Sequence, residues 1–218
     1  MSKLLSLAIA LCAAAPASAS NLVSNGSFET PNIVGGSYVL YSTGSTAITG
    51  WTVLGLANDS IQLTPDTYLG LKADDARQWI DLTGITGYDK GVKSDAIATQ
   101  IGAVYHLSFA VGNYLPFGAS TLGVSLNGGP EQLFTNTSLA ATATNPMNWA
   151  TFGFDWVADS TSTRISFLGR ANGALSNNLG IGLDSVALTL QPVPEPQTWA
   201  LLAAGLLALT GLRRRLQA

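Results

Sequence analysis

Residues that could carry out catalysis are few in this sequence, and their spacing matches no catalytic arrangement. The single histidine, His106, lies in an alternating apolar stretch with no nucleophile motif beside it. A glycosidase needs two carboxylates across a cleft, whereas Asp74 and Asp75 are adjacent and suit a solvated loop. We therefore interpret His106 as structural and predict that the protein is not an enzyme. An extracellular glycan hydrolase is the least favoured alternative.

Aromatic side chains in polar, glycine-rich segments are better candidates for function. Sugars are held by aromatic platforms together with hydrogen-bonding side chains, and binding groups often lie in loops that follow a rigid strand. Tyr114 comes shortly after a predicted core strand with Asn113 beside it, and Trp79 and Tyr88 lie in or next to polar segments. We predict that Tyr88, Tyr114, Asn113 and Trp79 contact a carbohydrate. The alternative is that each ring packs beneath its own loop.

The elements that would position these side chains are short β-strands. Apolar and polar residues alternate most clearly at 105–111 and 149–157, and again at 164–167 and 186–190, while no segment of the body keeps a 3.6-residue period. Glycine, proline and asparagine turn signals separate these stretches, which predicts an all-β fold, an antiparallel β-sandwich of the jelly-roll type. Weaker strand candidates are 22–28, 38–41, 51–54, 60–63, 78–82, 92–100, 121–126 and 132–135.

The first nineteen residues have the features of a secretory signal peptide. Lys3 precedes the apolar run 4–15, and residues 17–19, Ala-Ser-Ala, form a cleavage site of small residues. We predict that signal peptidase cuts after Ala19. Cys12, the only cysteine, follows a bulky leucine, which argues against a lipoprotein. The mature body therefore has no disulfide and depends on its core or on a metal ion.

The C-terminal segment 193–218 has three parts in a fixed order. The first part is Pro194-Glu195-Pro196, whose prolines disfavour a helix. The uncharged run 199–212 follows, and Arg213-Arg214-Arg215 comes near the end. A fourteen-residue helix measures about 21 Å, against a hydrocarbon core of roughly 30 Å. The run is therefore a marginal membrane span as a short hydrophobic helix. The positive-inside rule keeps the arginines cytoplasmic and the body outside.

This tail resembles the PEP-CTERM sorting signal of Gram-negative bacteria, because the Pro-Glu-Pro lead, the apolar run and the basic cluster occur in that order. The resemblance implies that an exosortase, a membrane-bound cysteine protease, cuts near Pro194–Pro196. It also implies export across the inner membrane, transient membrane insertion, and release or transfer to the cell surface or extracellular matrix. An ordinary membrane anchor is the alternative. The chain then divides into a signal peptide (1–19), one domain (20–192) and a sorting segment (193–218).

The charge of the body restricts its partners. The whole chain has ten basic and thirteen acidic residues, and without the two terminal segments six basic and twelve acidic residues remain, a formal charge of −6. Nucleic acids demand a basic surface for their phosphates, so we exclude them as partners. Few charges together with abundant Gly, Ser, Thr and Asn are typical of an extracellular β protein with many turns.

The body also resembles a known family in the order of its landmarks. It opens with Asn-Leu-Val-Ser-Asn-Gly-Ser-Phe-Glu at 21–29, continues with Gly-Trp at 50–51, and closes with Leu-Asp-Ser-Val at 183–186. This pattern looks like the galactose-binding-like jelly rolls that include many carbohydrate-binding modules, and especially the choice-of-anchor secreted bacterial proteins. The resemblance implies a polysaccharide or extracellular-matrix ligand. A purely structural surface protein without a glycan site is the alternative.

The same resemblance implies a structural calcium ion between the two ends of the domain. Asp184 lies on the alternating face of Val186, Leu188 and Leu190, which predicts a carboxylate that points toward the core and needs a partner there. Glu29 closes the first predicted strand at the other end of the domain. Calcium binds about 6–8 oxygens, backbone carbonyls included, so we predict that Glu29 and Asp184 ligate it. The alternative is that Asp184 pairs with an arginine or caps a turn.

Overall fold

The computed structural model describes residues 20–85, 87–114, 119–138, 147–171, 180–192 and 204–205. The predicted signal peptide, the Pro194-Glu195-Pro196 lead and the Arg213-Arg214-Arg215 cluster lie outside these residues. In the described part of the chain, no helix has the length and apolar character that a membrane crossing requires.

The described body is built from strands that pair antiparallel throughout. This confirms the predicted fold class, an antiparallel β-sandwich. In chain order the strands are β1 (Val39–Ser42), β2 (Trp51–Leu54), β3 (Ser60–Pro65), β4 (Gln78–Asp81), β5 (Gly91–Ser94), β6 (Ile97–Ala98), β7 (Val104–Tyr114), β8 (Ser120–Leu126), β9 (Gln132–Asn136), β10 (Met147–Val157), β11 (Ser162–Thr163), β12 (Ile165–Arg170) and β13 (Ile181–Leu190).

These strands form two large sheets. One has six strands in the order β1-β3-β4-β13-β7-β10, and the other has five in the order β2-β5-β12-β8-β9, while β6 and β11 make a separate short pair. The chain crosses repeatedly between the sheets, so neighbours in a sheet are mostly distant in sequence. The predicted strand 92–100 is divided between β5 and β6, because the chain changes its pairing partner after Ser94.

The core lies between the two sheets and is formed by alternate residues of each strand. Phe109 of β7 is fully buried. Its ring packs beside Phe152 on the neighbouring strand, and against Phe134 and Phe167 of the opposite sheet at centroid distances of 5.1 and 5.3 Å. Interlocking rings from both sheets fix the distance between them, and the outward residues of the same strands are left for other roles.

The segment 22–28 is a series of turns, so the prediction of a first strand there is wrong. Asn25 and Phe28 have positive φ values of 52° and 57°, which a continuous strand does not permit. This backbone turns the Phe28 ring inward, where it is fully buried and lies 5.1 Å from the Trp51 ring. The apolar residues of the segment therefore reach the core from a turn and not from a ladder.

The two ends of the body nevertheless lie side by side. The side chain of Asn21 acts as a substitute for a strand partner, because its Nδ2 donates to the Val186 carbonyl and its Oδ1 accepts from the Leu188 amide. Gly26 passes so close to β13 that a Cβ there would lie 2.0 Å from the Val186 oxygen. A side chain at this position would separate the two ends.

A β-bulge in the last strand changes the position of Asp184. The register of β13 against β7 shifts between Asp184 and Ala187, and Ser185 has a φ of 53°. Leu183 and Val186 therefore both point into the core, and Asp184 points to the opposite, outer face. The prediction that Asp184 lies on the same face as Val186 is therefore wrong. Asp184 is still fully buried, because a loop covers the outer face at this point.

Candidate functional site

The outer face of the six-stranded sheet is covered by the loop 66–77, which we call the cover loop. Beneath it lies a second cluster of buried apolar side chains, Leu71, Trp79 and Met147. Trp79 Nε1 donates to the Leu71 carbonyl at 3.2 Å, and Trp149 Nε1 donates to the Lys72 carbonyl at 2.8 Å. The two indole rings meet edge to face at 5.9 Å. Two tryptophans of the sheet thus fix the backbone of the cover loop.

A cavity of about 300 Å³ lies beside the cover loop. Its walls are aromatic, its floor consists of polar side chains of β3 and β4, and its rim is apolar. The lining residues are Tyr38, Tyr68, Trp79 and Tyr114 in the walls, Gln62, Thr64 and Asp81 in the floor, the exposed Leu69 and Ile85 at the rim, the buried Leu71, and Gly84 and Gly180.

The tyrosines of the wall are close to one another and to the floor. The Tyr38 and Tyr68 rings meet edge to face with centroids 5.2 Å apart. Burial raises the pKa of the Tyr68 phenol, and the neighbouring Tyr38, Tyr114 and Asp81 raise it further. Tyr68 therefore stays protonated at ordinary pH and presents a hydroxyl that can donate or accept.

The floor contains a polar atom whose hydrogen-bonding capacity is unused. Thr64 is only 1% exposed, and its Oγ1 has no hydrogen-bond partner among the described residues. The neighbouring Gln62 donates from Nε2 to the Gly84 carbonyl at 2.8 Å. Gly84 has a φ of +54°, and a Cβ there would lie 2.0 Å from the Ser60 oxygen. A buried, unpaired hydroxyl costs about 1–3 kcal/mol, which a ligand or water in the cavity would offset.

Asp81 supplies a carboxyl group at the floor. Its Oδ1 accepts from the Thr83 amide at 2.8 Å and from the Thr83 hydroxyl at 2.6 Å. Burial raises the pKa of Asp81 to about 6, against the opposing effect of these hydrogen bonds and of the Gly180 and Gly84 amides. The donors around Asp81 are all neutral groups. A carboxylate at the floor is therefore held in place, and no ion pair among the described residues compensates its charge.

The structure brings two of the four predicted ligand residues to this cavity, Trp79 and Tyr114. Asn113 points the other way because β7 continues through Tyr114, so adjacent residues alternate between the faces; its Nδ2 donates to the Ser138 carbonyl at 2.9 Å. Tyr88 packs against the main core. Trp79 and Tyr114 thus share one cavity, whereas Asn113 and Tyr88 lie elsewhere.

Most of the cavity was missed by sequence reasoning. Gln62 and Thr64 alternate with the core residues of β3, and Asp81 alternates with Ile80 in β4, so a polar outer face could have been read from the pattern. Tyr68 could not have been placed in this way, because a loop of twelve residues carries it onto the sheet. His106 is 40% exposed on its side chain and lies 2.6 Å from Asp155, apart from the residues that line the cavity.

The two predicted metal ligands, which are far apart in sequence, both hold the cover loop. Asp184 Oδ2 accepts from the backbone amides of 74–75 at 2.9 and 3.0 Å. Glu29 Oε1 accepts from the backbone amides of 77–78 at 2.9 and 2.7 Å. Asp74 and Asp75 lie exposed in a loop, as predicted, and their backbone amides anchor that loop to Asp184.

Negative charge accumulates where the cover loop meets β13. Asp74 Oδ2 accepts from the Ser185 hydroxyl at 2.6 Å, which brings this carboxylate close to Asp184. Burial raises the pKa of Asp184 to about 8, and the charge of Asp74 contributes in the same direction. Among the described residues, no group of three or more His, Cys, Asp or Glu side chains is arranged to hold a metal ion.

Comparison with known proteins gives different results for the tail and for the body. Residues 192–215 match the PEP-CTERM protein-sorting motif, so the chain carries this sorting signal. No curated protein matches the sequence. The body is similar to solved structures at identities that show the fold alone.

One similar structure is Fisc, a Stig cyclase from Fischerella sp. TAU, at 15% identity and a TM-score of 0.55 over 81% of this chain and 100% of that chain. The K1 cleaved adhesin domain of Lys-gingipain from Porphyromonas gingivalis W83 has 13% identity and a TM-score of 0.50, over 72% and 100%. A xylan-binding domain, CBM22-1 of Paenibacillus barcinonensis Xyn10C, has 15% identity and a TM-score of 0.43, over 74% and 100%.

Asp81 makes stability depend on pH in a defined direction. Its folded-state pKa of about 6 exceeds the ordinary 3.8, so between these values the folded protein binds a proton that the unfolded chain has lost. The free energy of unfolding should therefore fall as pH rises from about 4 to 6, by up to ~3 kcal/mol from this group. Urea denaturation of wild type and Asp81→Asn across this range measures the effect as the difference between the two curves. Parallel curves would contradict the assignment, and Asp95→Asn, an exposed carboxylate, is the control.

Proposed function

We propose that the protein is an exported surface protein whose outer-face cavity binds a saccharide without catalysing a reaction. The PEP-CTERM motif at 192–215 implies export and sorting to the cell surface in a Gram-negative bacterium. The motif is an address, and the chemistry of the body must be argued from its own residues.

The observation that carries the proposal is an aromatic-walled cavity with an unpaired hydroxyl in its floor. Tyr38, Tyr68 and Tyr114 supply both ring faces and phenol hydroxyls, and Thr64 Oγ1 has unused hydrogen-bonding capacity. A sugar ring has an apolar face that stacks on aromatic rings and hydroxyls that both donate and accept. Binding sites of this kind combine apolar walls with a few convergent polar groups.

The size and charge of the cavity support binding of a short saccharide or a chain end. A volume of about 300 Å³ lies at the lower end of ligand sites, which span roughly 300–1,000 Å³. Hydrolysis of a glycosidic bond normally requires two carboxyl groups, and Asp81 is the one carboxyl among the described residues that line the cavity. A purely structural surface protein and an extracellular hydrolase are the alternatives.

A calcium ion between Glu29 and Asp184 is a second, structural proposal. Two features fit it. Both carboxylates accept from backbone amides within residues 74–78, at the end of the cover loop and the start of β4. The close Asp74 and Asp184 carboxylates have no compensating cation in the described ion pairs. Since the described acidic side chains form no cluster of three suited to a metal, backbone carbonyls or water would complete the ligand set.

Processing at both termini completes the proposal. We expect signal peptidase to cut after Ala19 and an exosortase to cut near Pro194–Pro196. Cleavage at both would leave the body without a permanent membrane span. The matrix or cell surface would then display the domain 20–192 as a soluble or attached module, with exosortase and signal peptidase as transient partners.

Loss of one cavity ring should weaken binding. We expect Tyr114→Ala to reduce affinity for polysaccharide of the native matrix by ~1–3 kcal/mol, a scale taken from aromatic stacking on bases. Tyr88→Ala, a ring packed on the main core, should leave affinity unchanged. Affinity electrophoresis measures both, with circular dichroism to verify folding. Loss of binding in Tyr88→Ala alone would place the site elsewhere, and no binding by wild type on a glycan array would reject a glycan site.

Calcium should stabilise the folded protein if the proposed site exists, because an ion that binds only the folded state raises the melting temperature. Thermal melts with calcium and with a chelator measure the shift. Asp184→Asn should melt at one temperature under both conditions, while Asp155→Asn should respond as wild type does. An unchanged melting temperature for wild type would leave the hydrogen bonds to the cover loop as the whole role of Asp184.

The mature protein should lack both terminal segments. Mass spectrometry of protein from its native host should find Ser20 at the N-terminus and an end near Pro194–Pro196. Deletion of the host exosortase should leave the C-terminal segment attached while the N-terminal cut is retained. Recovery of the intact Arg213-Arg214-Arg215 end on most wild-type molecules would indicate an ordinary membrane anchor.

A further inference from the structure

Asp81 is the one charged side chain among the described residues that line the cavity. It is 6% exposed, and it takes part in none of the ion pairs of the described residues. The undescribed segments that adjoin the lining in sequence, Thr86, 115–118 and 172–179, contain no Lys, Arg or His. Neither the described lining nor these adjoining segments therefore supplies a positive charge to this carboxylate.

The walls of the cavity favour an organic cation over a metal ion. Tyr38, Tyr68, Trp79 and Tyr114 line the same space as Asp81, and the faces of aromatic rings attract ammonium groups. Calcium and magnesium instead require several oxygen ligands at short distances, which apolar rings do not provide. An acidic sugar would be repelled, because its carboxylate would approach Asp81 with no cation between them.

The floor offers acceptors in the right place for an ammonium group. In the antiparallel register of β3 and β4, Gln62 lies directly opposite Asp81, and Thr64 lies one position further along the same face. An ammonium group has three N–H donors and no acceptor. The Asp81 carboxylate and the unpaired Thr64 hydroxyl can both accept from it, and the Gln62 side chain carries a third oxygen on the same face.

We infer that the ligand of the cavity is a saccharide with a free, protonated amino group, such as a glucosamine unit, and that Asp81 pairs with this group. The inference rests on the proposed saccharide-binding function and adds the class of sugar. Neutral and N-acetylated sugars lack the charge that the floor requires, so the cavity discriminates by charge as well as by shape. A matrix polysaccharide with deacetylated amino sugars would present such groups.

The inference also predicts how binding depends on pH. Asp81 must be ionised to pair with an ammonium group, and its pKa without ligand is about 6. The titratable groups that face it are the phenols of Tyr38, Tyr68 and Tyr114, and burial raises the pKa of Tyr68. Affinity for an amino sugar should therefore be lower at pH 5 than at pH 7, by up to about tenfold for one unit below the pKa.

The test is isothermal titration of the purified protein with three disaccharides of the same linkage, β-1,4-linked glucosamine, its N,N′-diacetyl form, and cellobiose. The glucosamine disaccharide should bind at least tenfold more tightly than the other two at pH 7. Asp81→Asn should remove this preference, and its retained Oδ1 acceptor for Thr83 should preserve the fold. Asp95→Asn removes an exposed negative charge elsewhere and should keep the preference.

The outcomes separate the inference from the proposed function. Equal or tighter binding of cellobiose or of the diacetyl form would overturn the amino-sugar inference and leave saccharide binding intact. Equal weakening in Asp81→Asn and Asp95→Asn would show a general attraction to an acidic protein and would also overturn it. Failure of every saccharide, on a glycan array as well, would reject both.

Discussion

The attachment of the cover loop to the outer face of the six-stranded sheet is the constraint on which the site depends. Glu29, from the first turns, and Asp184, from the last strand, accept hydrogen bonds from backbone amides of the same loop. The loop in turn shields Trp79 and supplies Tyr68 to the cavity wall. Without these two attachments the outer face would be an exposed aromatic surface, and the cavity would lose one wall.

The sheet has an apolar cluster on each face, and the two clusters have different functions. On the inner face, Phe109 interlocks with Phe134 and Phe167 of the opposite sheet through aromatic contacts. On the outer face, the indole N–H groups of Trp79 and Trp149 bind loop carbonyls, so apolar packing is combined with fixed polar contacts. Polar side chains of β3 and β4 also line the cavity on this outer face. This combination suits a ligand with both apolar and polar surfaces.

The sequence predicted the parts of the fold that depend on local alternation. Strands β7 and β10 were recognised because their apolar residues recur at every second position over long stretches. The segment 22–28 was predicted wrongly because positive φ values at Asn25 and Phe28 turn its backbone while its apolar side chains still reach the core. Asp184 was placed on the wrong face because a bulge shifts the parity of β13, and no residue pattern marks that bulge.

The cavity was less predictable because its members come from separate parts of the chain. Trp79 and Tyr114 were identified as aromatic residues near polar segments, but their meeting with Tyr38 and Tyr68 depends on strand order and on the path of the loop. The unpaired state of Thr64 Oγ1 is a tertiary property that no local pattern contains. The sorting motif, in contrast, could be predicted almost completely, because its three parts are consecutive in sequence.

The fold leaves the choice between binding and catalysis open, since a cyclase and an adhesin domain are both similar in structure to this chain. Whether the protein binds or catalyses therefore depends on the side chains that line the cavity. Asp81 is a single carboxyl whose neighbours are tyrosines, threonine and amides, and acid–base catalysis of glycoside cleavage uses two such groups in distinct protonation states. A buried carboxylate is instead an attractive partner for a cation, because burial strengthens its field and none of the ion pairs among the described residues involves Asp81. The same low dielectric that raises the pKa of Asp81 thus makes it selective when a positively charged ligand enters.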